Sequence, residues 1–403
     1  MKPSFTKRVV GEVVNDVAYA RMNTFSAVGD INGDGLPDIV ISGRNGRMVW
    51  LENRGRDAAW EEHLVDHVQS MECGGSLWDL TGNGCLDIIN GSDARGNEIY
   101  WWENPLPLRS RSGQALGEGW QRRLIARTPN TQFHDTAIGD VTGDGTVSLV
   151  FTNQHGGTNI YRVPLPGDPT VSPWPGLEVV ATGKVEPNPY RQEGVQPEEG
   201  LAIGDVDGDG RNELVCGTHW YKYSGREGRP WAAHKFATGY ITTKVAIGDI
   251  DGDGRNEIVL SEGDPCVYGK AQGGRLAWFK PQGDGMGMWQ EHILEEGLLD
   301  AHSLQLGDIQ TGPPGSGSHL DILVGEVGVA DRETDAYVVR PPRILVFEND
   351  GRGNFCRHVI DEGTGTHDAV LVDVLQRGVL DIVGKPLHGP EKWHVHVWFN
   401  DRG

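Results

Sequence analysis

A short acidic stretch that recurs along the chain constrains its fold most. In "HDTAIGDVTGDG" (residues 134–145) a strand-like segment runs directly into a loop rich in aspartate and glycine. The same order occurs in seven copies, whose loops begin at Asp30, Asp79, Asp140, Asp205, Asp249, Asp308 and Asp373. Internal repetition of this kind predicts a repeat architecture, in which each unit buries its apolar surface against its neighbours.

The copies share one order of strand-like segments, four in a complete copy. An inner strand such as "TAIGD" meets the acidic loop, a strand such as "NEIVLS" follows, the third is aromatic ("RMVWLEN") and the fourth resembles "WEEHLVD". We therefore predict an all-β fold: one seven-bladed β-propeller of four-stranded blades over residues 1–403. The blades are expected to start near residues 22, 71, 132, 197, 241, 300 and 365.

The seventh copy ends before a fourth strand. The segment "FTKRVVGEV" (residues 5–13) has the missing pattern at the other end of the chain. We expect this N-terminal strand to complete the last blade, because closing the ring leaves no sheet edge exposed.

Composition narrows the choice of partners and compartment. The formal net charge of −21 argues against nucleic acid or an anionic membrane as a partner. The 5 cysteines form no CxxC pair, which argues against a disulfide framework or a zinc ribbon. The N-terminus has no apolar signal-peptide core and no segment is long enough to span a bilayer, so a cytoplasmic protein is expected. An exported form whose signal peptide was removed is the alternative.

Three acidic loops have the ligand spacing of a calcium site. "DINGDGLPD", "DVDGDGRNE" and "DIDGDGRNE" place side-chain oxygens at loop positions 1, 3, 5 and 9. Ca²⁺ is the expected structural ion, with Mg²⁺ as the alternative in a cytosolic protein. Asx turns that need no metal are the other interpretation. The predicted ligands are Asp30, Asn32, Asp34 and Asp38, then Asp205, Asp207, Asp209 and Glu213, then Asp249, Asp251, Asp253 and Glu257.

The residues six positions before each loop should meet at the mouth of the central channel, on the face opposite the acidic loops. They are Thr24, Cys73, His134, Glu199, Thr243, His302 and His367. Three histidines and a glutamate around one axis suit a divalent metal such as Mg²⁺, Mn²⁺ or Zn²⁺, or proton transfer on a bound sugar. The structural alternative is that each histidine is an ordinary polar rim residue.

Further candidates lie on loops expected at the same face. The loops between the second and third strands bring Glu262, Glu326 and His219, and the long loop 184–199 brings Tyr190 and Arg191. Lys244, next to Thr243, could meet a substrate carboxylate or an enolate. We assign catalytic roles to His134, His302, His367, Tyr190 and Glu326, and substrate binding to Glu199, Lys244, Arg191, Glu262 and His219.

The repeats resemble those of the FG-GAP or VCBS-repeat family, which includes the integrin α-chain head. That resemblance covers nearly the whole chain and implies a seven-bladed propeller, but such propellers host many functions. The segments "GRLAWFKPQG" and "AHSLQLGDI" are also similar to the propeller portion of aldos-2-ulose dehydratase, an enzyme that dehydrates keto-sugars. This second resemblance implies lyase chemistry on a carbohydrate.

Two functions follow from these patterns. The first is a lyase or dehydratase that acts by β-elimination on a keto-sugar or a uronate-containing saccharide at the channel mouth. The second is a non-catalytic, calcium-dependent propeller that binds a glycan or a protein, as integrin heads do. Hydrolysis by a carboxylate pair, Glu262 and Glu326, is a third option.

Overall fold

The computed structural model describes residues 3–17, 21–105, 119–155, 159–182, 199–309, 319–331 and 333–402. Within these ranges the chain forms seven antiparallel sheets of four strands each, and no helix. Accordingly, the described part contains no helix that could cross a membrane.

The strands run through the blades in chain order. Blade 1 contains β2 (Asn23–Gly29), β3 (Asp38–Gly43), β4 (Asn45–Glu52) and β5 (Glu61–Gln69). Blade 2 contains β6 (Met71–Trp78), β7 (Asp87–Ser92), β8 (Glu98–Glu103) and β9 (Gln121–Arg127). Blade 3 contains β10 (Thr131–Asp140), β11 (Val147–His155), β12 (Asn159–Pro164) and β13 (Glu178–Thr182). Blades 4 and 5 contain β14 (Leu201–Gly204), β15 (Glu213–Cys216), β16 (His219–Tyr223) and β17 (Trp231–Lys235); and β18 (Thr243–Gly248), β19 (Glu257–Glu262), β20 (Gly274–Lys280) and β21 (Gln290–Leu298). Blades 6 and 7 contain β22 (Ser303–Gly307), β23 (Asp321–Gly325), β24 (Arg343–Asn349) and β25 (Phe355–Glu362); and β26 (His367–Val372), β27 (Asp381–Lys385) and β28 (His394–Asn400), with β1 (Phe5–Glu12) as the fourth strand.

The ring closes as the sequence predicts. The first strand of each blade contacts the first strand of the next, and β26 of blade 7 contacts β2 of blade 1. Strand β1 pairs antiparallel with β28, with Phe5 opposite Asn400 and Glu12 opposite His394. The fold is therefore a seven-bladed β-propeller whose first strands surround the axis.

The apolar core lies between blades. Each of the seven junctions between described sheets contains one buried cluster, such as Trp50 and Trp102 between blades 1 and 2. The tryptophans of the third strands are buried in these junctions, because two stacked sheets exclude water from large rings. This packing makes the ring a rigid frame for whatever side chains reach its axis.

The first strands of four blades carry an irregularity at their channel end. The pairing register shifts between Asn23 and Phe25 in β2, Met71 and Gly75 in β6, Phe133 and Thr136 in β10, and His367 and Val370 in β26. A β-bulge bends the strand and interrupts the alternation of side chains between the two faces. Consecutive residues of these strands can therefore face the channel together.

Candidate active site at the channel mouth

Two cavities meet at a layer of histidines on the axis. The outer cavity, of about 480 Å³, opens at the mouth and is lined by Arg44, Glu72, Glu199 and Asp264, among others. The inner cavity, of about 210 Å³, lies in the channel below. His134 and His302 line both cavities, so their rings form the boundary between mouth and channel.

The three predicted histidines come together. The ring centroids of His134 and His302 are 5.1 Å apart, and those of His302 and His367 are 4.1 Å apart with nearly parallel planes. All three side chains are at least nine-tenths buried. The spacing by six residues thus placed the imidazoles of blades 3, 6 and 7 in one cluster.

Two aspartates and a lysine lie directly behind this cluster. Asp135 Oδ2 is 2.7 Å from His134 Nδ1, and Asp368 Oδ2 is 2.8 Å from His367 Nδ1. Lys244 Nζ bridges the two carboxylates at 3.0 and 3.1 Å. The hydrogen bond between His134 Nδ1 and Asp135 favours a proton on that nitrogen, which leaves Nε2 of His134 on the side of Glu199.

The bulges explain why each histidine and the aspartate that follows it both face the axis. His134 and Asp135 lie inside the irregular segment of β10, and Asp368 lies inside that of β26, with a φ of +55°. A regular strand would have turned each aspartate into the blade interface, because successive side chains of a strand point to opposite faces. A left-handed backbone at a non-glycine residue is uncommon and concentrates at functional sites.

The surroundings shift the pKa values of the three imidazoles in different directions. Burial lowers the pKa of His302, and it lowers that of His367 well below the ordinary value. Burial would also lower the pKa of His134, but the neighbouring Cys73, Glu199 and Asp135 raise it well above the ordinary value. Burial raises the pKa of the Cys73 thiol to about 12, so at neutral pH the negative charge beside His134 comes from Asp135.

The carboxylates nearest the rings are also perturbed. Burial raises the pKa of Glu199 to about 8. Burial would raise the pKa of Asp135 too, but Lys244 and His134 hold it below its ordinary value. Glu199 Oε1 accepts a hydrogen bond of 2.5 Å from Gln154 Nε2, whereas its buried Oε2 has no hydrogen-bond partner.

Asp264 joins the cluster, although the sequence did not single it out. Its Oδ2 lies 3.8 Å from His302 Nε2, and Glu199 Oε2 lies 3.9 Å from His134 Nε2. Asp264 follows the last residue of β19 by two positions, on a loop that was expected to reach this face. Its position on that loop could have identified Asp264 as a site residue. The sequence favoured Glu262 instead, because Glu262 occupies the same strand position as Glu326.

Several predicted residues point elsewhere. Both oxygens of Glu326 accept hydrogen bonds from Arg340 and Arg343. Burial would raise the pKa of Glu326, but these arginines hold it below its ordinary value, so Glu326 is not the acid that the sequence suggested. Glu262 is fully buried and accepts hydrogen bonds from Ile241 N and Lys270 Nζ.

The remaining predicted contacts also change. Lys244 lines the inner cavity and is paired with two aspartates, which corrects its assignment to a substrate in the mouth. His219 lies beside Thr218, with 3.2 Å between Nδ1 and Oγ1, and is not among the described residues that line the two cavities. Tyr190 and Arg191 fall outside the described residues.

The acidic loops share one internal design. The first aspartate accepts backbone N–H groups of its own loop: Asp205 takes those of Gly208 and Gly210, and Asp373 takes those of Arg377 and Gly378. The last acid also accepts backbone N–H groups, as Glu213 does from Val206. These two positions therefore shape the loop with or without an ion, even in blade 7, whose loop lacks the metal-type spacing.

In the loops with metal-type spacing, the side chains at positions 3 and 5 have different partners from those at positions 1 and 9. In blade 5, Lys280 Nζ contacts Asp251 and lies 2.7 Å from Asp253 Oδ2, and Lys222 contacts the matching pair in blade 4. Asp251 Oδ1 and Glu257 Oε1 remain buried without a hydrogen-bond partner. Burial raises the pKa values of Glu257, Glu213 and Asp38 to about 7. The oxygens fit a hard cation, while the lysines already supply one positive charge at two of the three loops.

Comparison with known families agrees with the repeats. Residues 22–47 match the FG-GAP repeat, and residues 205–260 match an FG-GAP-like repeat. The chain carries FG-GAP repeats. The matched segments contain the three loops with metal-type spacing, in blades 1, 4 and 5. No curated protein matches the sequence.

Solved structures share the fold of this FG-GAP propeller at low sequence identity. A BBS1N structure in complex with ARL6DN is 10% identical, with 100% of this chain and 98% of that chain covered and a TM-score of 0.53. The Bacillus licheniformis rhamnogalacturonan lyase PL11 is 12% identical, with 98% of this chain and 76% of that chain covered and a TM-score of 0.49. The rhamnogalacturonan lyase YesW is 13% identical, with 99% of this chain and 74% of that chain covered and a TM-score of 0.47. At these identities the similarity concerns the propeller fold alone.

Proposed function

We propose that this protein is a carbohydrate-active carbon–oxygen lyase, a sugar dehydratase or polysaccharide lyase. It would act by β-elimination on a keto-sugar or a uronate-containing saccharide held in the outer cavity. The observation that carries the proposal is the convergence of three buried imidazoles at the floor of a cavity of about 480 Å³. Ligand-binding cavities commonly have volumes of about 300–1,000 Å³.

His367 is the best-placed base. Its ring lines the outer cavity, and Asp368 Oδ2 lies 2.8 Å from Nδ1. We assign Nε2 as the basic nitrogen. Nε2 removes the proton from the carbon next to the carbonyl or carboxylate of the substrate. The electron pair of that C–H bond forms the new double bond as the C–O bond at the adjacent carbon breaks, and the leaving oxygen takes a proton from an acid. Tyr190 stays our predicted acid.

The wall of the outer cavity is polar and offers one arginine to an oxygen-rich substrate. Arg44 lines it and is held by Glu72, with Nε and the carboxylate oxygen 2.9 Å apart. The side chain of Arg44 is 30% exposed, so its remaining N–H groups can donate to a uronate carboxylate or a sugar hydroxyl. This geometry supports a saccharide rather than an apolar ligand.

The acidic loops have a separate, structural role in this proposal. Ca²⁺ at the loops of blades 1, 4 and 5 would join each loop to its blade on the face opposite the cavity. An ion that binds only the folded form stabilises it. Removal of Ca²⁺ with a chelator should therefore lower the melting temperature. An unchanged melting curve after confirmed removal of the ion would contradict these sites.

The test is a difference spectrum. The protein is mixed with keto-sugars and with uronate-containing oligosaccharides, and the absorbance of a new conjugated enone or enoate is followed. We expect a signal that His367→Ala abolishes and that His292→Ala, in an outer strand, leaves unchanged. Saccharide binding without any new absorbance would contradict the lyase and favour the binding propeller.

A further inference from the structure

We infer that the channel mouth holds a divalent transition-metal site formed by His134, His302, Glu199 and Asp264. One ligand atom of each residue lies within 4.8 Å of the others. The ligand set differs from the three-histidine site that the sequence suggested, since the ligand atoms of His367 group with those of Cys73 and Asp368 instead. The inference concerns the same cavity as the proposed lyase and does not depend on it.

The distances leave space for an ion. The contacts from His134 Nε2 to Glu199 Oε2 and from His302 Nε2 to Asp264 Oδ2, 3.9 and 3.8 Å, are too long for hydrogen bonds. Two ligands that each bind one metal at about 2.1 Å are at most about 4.2 Å apart. The four atoms are therefore close to the separation that a shared metal requires.

An unpartnered atom points to the same place. Glu199 is 1% exposed, and its Oε2 has no hydrogen-bond partner although Oε1 has one. A buried carboxylate oxygen without a partner is costly, and a bound cation would satisfy it. Two carboxylates together would balance the charge of one divalent ion.

The supports of the four ligands also fit a metal site. Asp135 accepts a hydrogen bond from Nδ1 of His134, a contact that orients metal-binding imidazoles. Asp368 Oδ1 lies 3.5 Å from Nδ1 of His302 without forming a hydrogen bond. Asp264 N donates a hydrogen bond of 2.7 Å to Thr242 Oγ1. Thr242 itself has a φ of +39°, a strained conformation for a β-branched residue.

The chemistry of the ligands selects the class of ion. Two imidazole nitrogens with two carboxylate oxygens suit Mn²⁺, Fe²⁺, Co²⁺ or Zn²⁺, whereas Ca²⁺ prefers oxygen ligands alone. The acidic loops offer only oxygen ligands, so the two kinds of site can be titrated separately.

The test is a Co²⁺ titration of the metal-stripped full-length protein in excess Ca²⁺, followed by visible absorption. We expect one Co²⁺ per chain with nitrogen-ligand bands. His302→Ala and the conservative Glu199→Gln should each weaken binding by more than about 100-fold, and Asp135→Asn by about 10- to 100-fold. His367→Ala and the outer-strand control His292→Ala should bind Co²⁺ as the wild type does. Melting curves establish that each variant is folded.

Absence of Co²⁺ bands in the wild type would overturn the site. Loss of binding in His367→Ala together with unchanged binding in Glu199→Gln would also overturn it, in favour of the three-histidine set. Co²⁺ binding without turnover of any saccharide would keep the metal site and contradict the lyase. Undiminished turnover by the stripped protein would support the lyase and overturn the metal as its cofactor.

Discussion

His134 and Asp135 are neighbours in sequence, yet both side chains reach the channel. The bulge in β10 interrupts the alternation of side chains, so both residues can face the channel. The bulge in β26 has the same effect on His367 and Asp368. The two aspartates are then joined through Lys244, which is 9% exposed. The site therefore depends on a buried pair of carboxylates that share one ammonium group.

The substitution Lys244→Met tests how much the shared ammonium group contributes to the stability of the fold. Removal of one partner from a buried ion pair costs about 3–5 kcal/mol, because the remaining charge stays buried without compensation. We expect a correspondingly lower free energy of unfolding in chemical denaturation, with partial recovery when Asp368→Asn is added. The control is Arg21→Met in the exposed pair of Arg21 with Asp16, where solvent screening leaves little change to expect. Equal losses in the two variants would contradict the shared-charge arrangement.

At the scale of the element, the acidic loop is a turn held at both ends by backbone hydrogen bonds. Its first and last acids accept backbone hydrogen bonds even in blade 7, so the turn forms without any metal-type spacing. In blades 4 and 5 a lysine from the third strand reaches the middle of the loop. The response of these loops to Ca²⁺ is therefore set by the third strand as well as by the loop itself.

Lys280→Met should make blade 5 more dependent on Ca²⁺. Without the ammonium, Asp251 and Asp253 repel each other in the ion-free protein and attract Ca²⁺ more strongly. Because a partly exposed ion pair contributes about 1 kcal/mol or less, the expected gain in Ca²⁺ affinity is up to about fivefold. The measurement is the melting temperature against Ca²⁺ concentration, with Arg8→Met as a control that removes the same charge from β1. A weaker response to Ca²⁺ than in the wild type would contradict the competition.

The sequence predicted the elements better than the directions of individual side chains. The strands and the meeting of His134, His302 and His367 followed from the repeat, because equal positions in equal blades meet at one axis. Asp264 and Glu326 did not follow, because side-chain direction beyond a strand end depends on the loop rather than on the period of two. The bulges could not be predicted either, since one extra residue in a strand does not change the apolar pattern of the sequence recognisably.

At the scale of the whole molecule, the ring is closed by a strand from the opposite end of the chain. In β1, Val10 is 1% exposed and packs between blades 7 and 1, whereas Val9 is 49% exposed. This alternation follows from the period of two in a strand with one face buried. The junction of blades 7 and 1 therefore depends on the first strand of the sequence.

Val10→Asp and Val9→Asp form a matched pair that tests closure. A carboxylate at position 10 would be buried in an apolar junction without a partner, so we expect a loss of more than about 3 kcal/mol in unfolding free energy. The same change at position 9 should cost about 0.5 kcal/mol or less, because that side chain faces water. Thermal melts followed by circular dichroism make the comparison. Similar melting temperatures for the two variants would show that β1 does not hold the ring together.

The most direct test of the central claim is a crystal structure of the protein soaked with a uronate-containing oligosaccharide. The account predicts saccharide density in the outer cavity, with the carbon that loses its proton within reach of His367 and a carboxylate near Arg44. Density for the saccharide only at other surfaces, with the three imidazoles away from any bound sugar, would contradict it.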